Sequence, residues 1–199
     1  MQKIIGSKFP LAIVFLLFLL LPWLSKENDH TDLALYPSLP APIAEETVLI
    51  TSAGQSSDTY IIKDIANNLM IHNYFMPQAH ESDLEDIHSV IVVVGYSDIG
   101  EKLHGITFEE EYARVSALLE ESLNLGIPVL TIHMGDDLRM DTKTKKLLEL
   151  VSSKSSYLIA TENANKDTLF SDLAEKYDIP LTLVSRLSDM SEPMASAFK

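Results

Sequence analysis

From Thr47 onward, short apolar runs alternate with segments of helical periodicity, and this alternation constrains the fold more than any other feature of the chain. The runs are TVLITS, SVIVVVG, IPVLTIHM, SYLIAT and PLTLVS, with a weaker one, IHNYF, at 71–75. They are rich in Val, Ile and Leu and show little strict alternation, as expected of strands buried on both faces. Helical patterns lie between them near 57–70, 107–125, 142–152 and 166–177, with a short last one near 189–198. The longest is the clearest. Thr107 and Glu110 have capping-box spacing, Phe108, Tyr112, Val115, Leu118, Leu119 and Leu123 share one face, and Gly126 stops the pattern before Ile127-Pro128. The stretch 76–88 is expected to hold at most a turn or two of helix. This order predicts an α/β fold: a parallel five- or six-stranded sheet with helices on both faces, joined by right-handed crossovers.

A parallel sheet also predicts where a ligand binds: beyond the carboxyl ends of the strands, near the switch in strand order. The loops gathered there are 52–58, 95–105, 133–141 and 162–167, all rich in small and polar residues. The connectors at the opposite edge, such as GIP and DIP, are short. The candidate ligand-binding residues are therefore Ser52, Gly54, Gln55, Ser56, Tyr96, Ser97, His133, Asp136 and Glu162. Gly54, Gln55 and Ser56 are expected to supply the turn and the donors. Tyr96 and Ser97 are expected to flank the ligand, with His133 and Asp136 as the titratable pair.

The N-terminus predicts export. Lys3 and Lys8 flank a run from Phe9 to Leu24 that carries no charge, followed by the polar SKENDH. Residues 1–24 read as a signal peptide or a membrane anchor, and both fates stay open. Residues 25–46 contain Pro37, Pro40 and Pro42 within mixed polarity and read as a flexible linker with no fold of its own. The domain is expected over 47–199. The formal charge of the chain is −14. Setting aside +2 for the leader and −4 for the linker leaves −12 on the domain, so nucleic acid is excluded as a partner. Contact with a membrane is expected through the N-terminal segment only. The absence of cysteine removes disulfides, thiolate metal sites and thiol catalysis.

Within the site, each chemistry has a plainer rival. The segment TSAGQSSD places Ser56, Ser57 and Asp58 at a helix start, where exposed N–H groups favour an anion. A serine N-cap and a dipole-favoured acid explain the same residues. Ser56 or Ser57 with His133 and Asp136 allows a serine hydrolase, although GQSS is not the G-x-S-x-G elbow. His133 with Asp136, Asp137 or Glu162 allows a metal, but no H-x-H, H-E-x-x-H or EF-hand spacing is present. A strand-ending His133 with a hydrogen-bonded ring is the simpler expectation. Asp136, Asp137 and Asp141 suit turns and caps. Glu109, Glu110 and Glu111 read as the solvated first turn of a helix.

Two resemblances follow from these segments. Thr51, Ser52, Ala53, Gly54, Gln55 and Ser56 resemble the T/S-x-T-G-x-T phosphate loop of flavodoxins, and GYSDIG and MGDD resemble later loops of that fold. The resemblance implies a flavodoxin-like sheet. Flavin itself is disfavoured, because Ala53 lacks the third hydroxyl and only Tyr96 supplies an aromatic ring. More of the chain is covered by a second likeness. LITSAGQSSD, VIVVVGYSDIG, GITFEEEYARVSALLEES, GIPVLTIHMG, NKDTLF and IPLTLV, in that order behind an export segment, resemble the uncharacterised bacterial family termed domain of unknown function 6305. That resemblance implies export and a compact α/β domain, and it carries no activity.

The functional expectation is thus an exported, membrane-tethered domain that binds a small polar molecule at the carboxyl edge of its sheet. The alternatives are an extracytoplasmic hydrolase using Ser56 and His133, and a structural or interaction module without a ligand. No cofactor is assigned.

Overall fold

The structure is a computed structural model that describes residues 38–135 and 140–198. In chain order its elements are β1 (Val48–Ala53), α1 (Asp58–Asn68), β2 (Asn73–Phe75), β3 (Ser89–Val94), α2 (Asp98–His104) and α3 (Phe108–Asn124), then β4 (Val129–His133), α4 (Thr142–Ser152), β5 (Tyr157–Thr161), α5 (Leu169–Tyr177), β6 (Leu181–Val184) and α6 (Ser191–Ala197). Single 3-10 turns at Glu81–Leu84, Glu162–Asn165 and Leu187–Met190 complete the described chain.

All six strands are parallel, in the order β2-β1-β3-β4-β5-β6. This is the doubly wound, flavodoxin-like order, whose switch point lies between β1 and β3. Successive strand residues feed opposite layers. Leu49, Val90, Val92, Leu158 and Leu181 pack under α3, α4 and α5 with Leu118, Leu147 and Phe170. Val48, Ile50, Ile91, Leu130 and Ile159 pack under α1 and α6 with Ile62, Met190 and Met194. The near-continuous apolar runs follow from this burial on two faces.

Three local differences from the sequence reading have physical causes. The segment 95–105, read as a loop, contains α2. Ser97 Oγ accepts from Gly100 N–H, and Gly105, left-handed at φ 66°, closes the helix. Ile99 and Leu103 on α2 are 72% and 77% exposed, so the helix has no buried stripe to announce it. The helix expected from 166 begins at Leu169, because Asn165 Oδ1 accepts from the N–H groups of Phe170 and Ser171. The expected linker ends earlier than 46. Leu39 and Ala44 are buried, the N–H groups of Ile43 and Ala44 donate to Ala197 O, and Glu45 exchanges two hydrogen bonds with Ser89 Oγ.

Candidate functional site

The loops after β1 and β3 meet at the switch point and are zipped together by their backbones. Gly95 N–H donates to Ala53 O at 2.9 Å and Ser97 N–H to Gly54 O at 2.8 Å, and Gln55 bridges Tyr96 in antiparallel fashion. Gly54 turns at φ 101°, and a Cβ there would stand 2.6 Å from Gly95 O. A Cβ on Gly100 would stand 2.6 Å from Gln55 O. Only hydrogen fits at either place. Gln55 itself is left-handed at φ 63°, a conformation few non-glycine residues adopt without support.

That support comes from α3. Glu111 and Arg114 form an ion pair whose side chains are only 3% and 7% exposed. The Glu111 carboxylate accepts from Gly54 N–H and from Gln55 Nε2, each at 2.8 Å. Arg114 donates to Glu111 through Nε and to Ser52 O through a terminal nitrogen at 2.6 Å. Gln78 Nε2 donates to the remaining Gln55 oxygen at 3.2 Å. Gly54 and Gln55, expected to donate to a ligand, therefore donate inward to Glu111, and Glu111 is not a solvated helix-start residue. The E-x-x-R spacing was the available signal for this pair.

What faces solvent at the strand ends is a polar cleft of about 350 Å³ lined by Ser56, Ser57, Asp58, Gly95, Tyr96, Ser97, His133 and Asp141. Ser56 Oγ accepts from Asp58 N–H at 3.2 Å, whereas Ser57, at the N-cap position of α1, makes no side-chain cap. His133 ends β4, 1% exposed, with Nδ1 2.8 Å from Val94 O. A carbonyl only accepts, so Nδ1 carries a proton and donates this bond. The ring stacks on Phe170 with centroids 5.4 Å apart. Asp141 caps α4 by accepting from Thr144 N–H at 2.6 Å.

Tyr96 forms the cleft wall toward α2. Its hydroxyl lies 2.6 Å from Glu101 and 2.8 Å from Asp98, and Lys143 donates to it. Burial, then the hydrogen bond to Glu101, push this hydroxyl up to about 12. Tyr96 is thus a protonated donor at neutral pH and no base. The hydrogen bond to Tyr96, and then that to Glu101, raise the Lys143 ammonium as well.

A second cleft of about 400 Å³ shares Asp58 with the first and is lined by Ile61, Met134, Gly135, Thr161, Asn163, Ser185, Arg186 and Leu187. The structure thus brings Ser56, Tyr96, Ser97 and His133 together. Ser52 is buried behind them, its Oγ accepting from Ser56 N–H. Glu162 lines neither cleft and accepts from Ser185 Oγ at 2.8 Å. Asp136 and Asp137 lie outside the described residues. Among the described residues no three carboxylate or imidazole groups are grouped to hold a metal ion. The larger hollow of about 710 Å³, between α3 and α4 at Phe108, Tyr112, Thr142, Lys145, Lys146 and Glu149, is a mostly apolar groove formed by helix side chains alone. The polar clefts are the better candidate site, since among the described residues chemistry-bearing side chains from several strand ends converge there.

The family whose sequence profile matches residues 45–198 is described as domain of unknown function DUF6305. The chain belongs to that family. No curated protein matches it. Among solved structures, AlinE4, an SGNH-hydrolase family esterase, is 16% identical with a TM-score of 0.30, covering 70% of this chain and 76% of the esterase. A mutant of the same esterase is 17% identical at the same score and coverage. A likeness this loose carries nothing about chemistry. Among the described residues no helix is long and apolar enough to cross a membrane, and the apolar run from Phe9 to Leu24 lies outside them.

Proposed function

We propose that this member of the DUF6305 family is an exported, membrane-tethered domain that binds a small polar ligand in the clefts at the carboxyl edge of its sheet. One observation carries the reading: side chains at the carboxyl ends of three different strands, Ser56, Ser97 and His133, line a single polar cleft at the switch point. The zipped loops and the buried Glu111–Arg114 pair brace that cleft from behind, so little ordering is left to offset on binding. Export and tethering rest on Lys3, Lys8 and the run from Phe9 to Leu24.

Native mass spectrometry of the full chain, with thermal melting alongside, tests the binding reading. A small polar molecule should be retained by the wild type and lost from Ser57→Trp, which fills the cleft while removing no side-chain cap. If nothing is retained and no polar metabolite raises the melting temperature, the reading fails.

A second reading, an extracytoplasmic hydrolase, is favoured by one geometric point. Ser56 and His133 line the same cleft, and with Nδ1 engaged to Val94 O, Nε2 is the ring nitrogen that would take a serine proton in the reaction. A fluorophosphonate probe should then label Ser56, and labelling should vanish in Ser56→Ala. An unlabelled wild-type protein removes the hydrolase.

A further inference from the structure

Helix α2 is folded inside out. Gly100 is buried against Gln55 O, and Glu101 turns toward the Tyr96 hydroxyl and Lys143, so a small and a charged residue face the protein. Ile99 and Leu103, one turn apart, face outward. Single exposed apolar side chains are ordinary, but an outward apolar pair on a helix with a polar inner face marks an interaction surface. A hollow of matching chemistry lies beside it. The groove between α3 and α4 has Phe108 and Tyr112 on one wall, their rings 6.1 Å apart, and Thr142, Lys145 and Lys146 on the other. The lysine stems extend the apolar lining while their ammonium groups reach water. Helix and groove adjoin: Lys143 lies 3.4 Å from Glu101 of α2 and 5.5 Å from the centre of the Phe108 ring.

The charges on the groove rim divide by helix. Glu149 is engaged by Lys176 and Tyr177, and Lys145 by Asp167 at 3.3 Å. Among the described residues this leaves Glu109 on the α3 rim and Lys146 on the α4 rim without an ion pair. Lys102 of α2 has none either, and three residues after Ile99 it flanks the apolar pair. Asp98, on the same flank, is turned back to the Tyr96 hydroxyl at 2.8 Å. A helix like α2 laid in the groove with Lys102 toward Glu109 matches apolar to apolar and cation to carboxylate, and keeps Lys102 away from Lys145 and Lys146. We propose that the partner is a second copy of this chain, in a two-fold dimer where α2 of each copy lies in the α3–α4 groove of the other. Knob and groove are neighbours on one surface, so one two-fold axis between them satisfies both at once. A different partner in the groove leaves Ile99 and Leu103 in water. The interface uses none of the side chains that line the polar clefts, so it stands independently of the ligand reading.

The chain has no cysteine, so introduced thiols report single contacts. Leu103→Cys and Tyr112→Cys, each made in the full chain and mixed in dodecyl maltoside under mild oxidation, should form a disulfide with each other in preference to either with itself. Sedimentation of the full chain in the same detergent should show a dimer, and Ile99→Ser with Leu103→Ser should weaken it about tenfold or more. Lys102→Glu should weaken it as well, and adding Glu109→Lys should restore it, a rescue that damage to the fold would not give. Melting temperatures check that each variant is folded. A monomeric wild type, or self-linking of Leu103→Cys in preference to the mixed disulfide, overturns the proposal. A dimer indifferent to the two serine substitutions also overturns it, because the copies are then joined by the N-terminal segment or another face.

Discussion

Glu111 stands in the first turn of α3, where an acidic residue ordinarily faces water and favours the helix dipole. Here its carboxylate is buried and joins four donors: Gly54 N–H, Gln55 Nε2 and two nitrogens of Arg114. Removing one partner leaves the other charged in a low-dielectric site. Glu111→Ala or Arg114→Ala should therefore each cost about 3–5 kcal/mol in chemical denaturation. The double variant should cost clearly less than the two together, since the second removal relieves the charge stranded by the first. Tyr96 makes a pH prediction. Its folded pKa of about 12 lies above the ordinary tyrosine value of 10.0, so the protonated hydroxyl is favoured by folding. That contribution is complete below pH 10 and is lost as pH rises from there through about 12. Melting temperatures across this window should fall more steeply for the wild type than for Tyr96→Phe. Tyr157, whose hydroxyl burial also raises, is common to both proteins and cancels. At this scale the sequence named Ser56, Tyr96, Ser97 and His133 for the cleft. It turned Gly54 and Gln55 the wrong way, because a strand-to-helix loop does not disclose which helix will pack behind it.

Elements with complete local signals were legible. Thr107 and Glu110 form the reciprocal cap of α3 exactly where S/T-x-x-E spacing puts it, with Thr107 N–H donating to Glu110 at 2.7 Å. That bond, more than any other contact, holds the Glu110 carboxyl below its usual range. Thr107→Ala should lower stability by about 1 kcal/mol, read from the denaturation midpoint. Helix α2 is the opposite case. It is seven residues long, exposes Ile99 and Leu103, and is positioned through Gly100 against Gln55 O and through Tyr96 against Glu101. Gly100→Ala should push α2 off the β1 loop and weaken ligand binding well before it unfolds the sheet, whose core lies elsewhere. Ligand-induced melting shifts set against the unliganded melting temperature will show the split. No periodicity could reveal this helix, because it buries no stripe.

For the whole molecule, the boundary at residue 47 misses a strap. Leu39 and Ala44 lie against α6, and the N–H groups of Ile43 and Ala44 bond its last turn. Removing residues 1–37 should leave the denaturation midpoint where it is. Removing 1–46 should cost at least the ~1.5–3 kcal/mol expected for exposing one large apolar side chain. Proline-rich, mixed-polarity sequence reads as linker unless its few apolar residues find a surface, and that surface, α6, is assembled from the far end of the chain. The sequence by itself determined the α/β class and the parallel strands. Strand burial and helix periodicity are local, repeated patterns, and parallel strands need crossovers. Only the tertiary structure decided which way each loop group faces: Glu111 behind the loop, Asp58 between two clefts, Tyr96 held in a wall. Those outcomes depend on contacts between residues more than fifty apart in some cases, such as Gly54 with Glu111, whose energies no single segment contains.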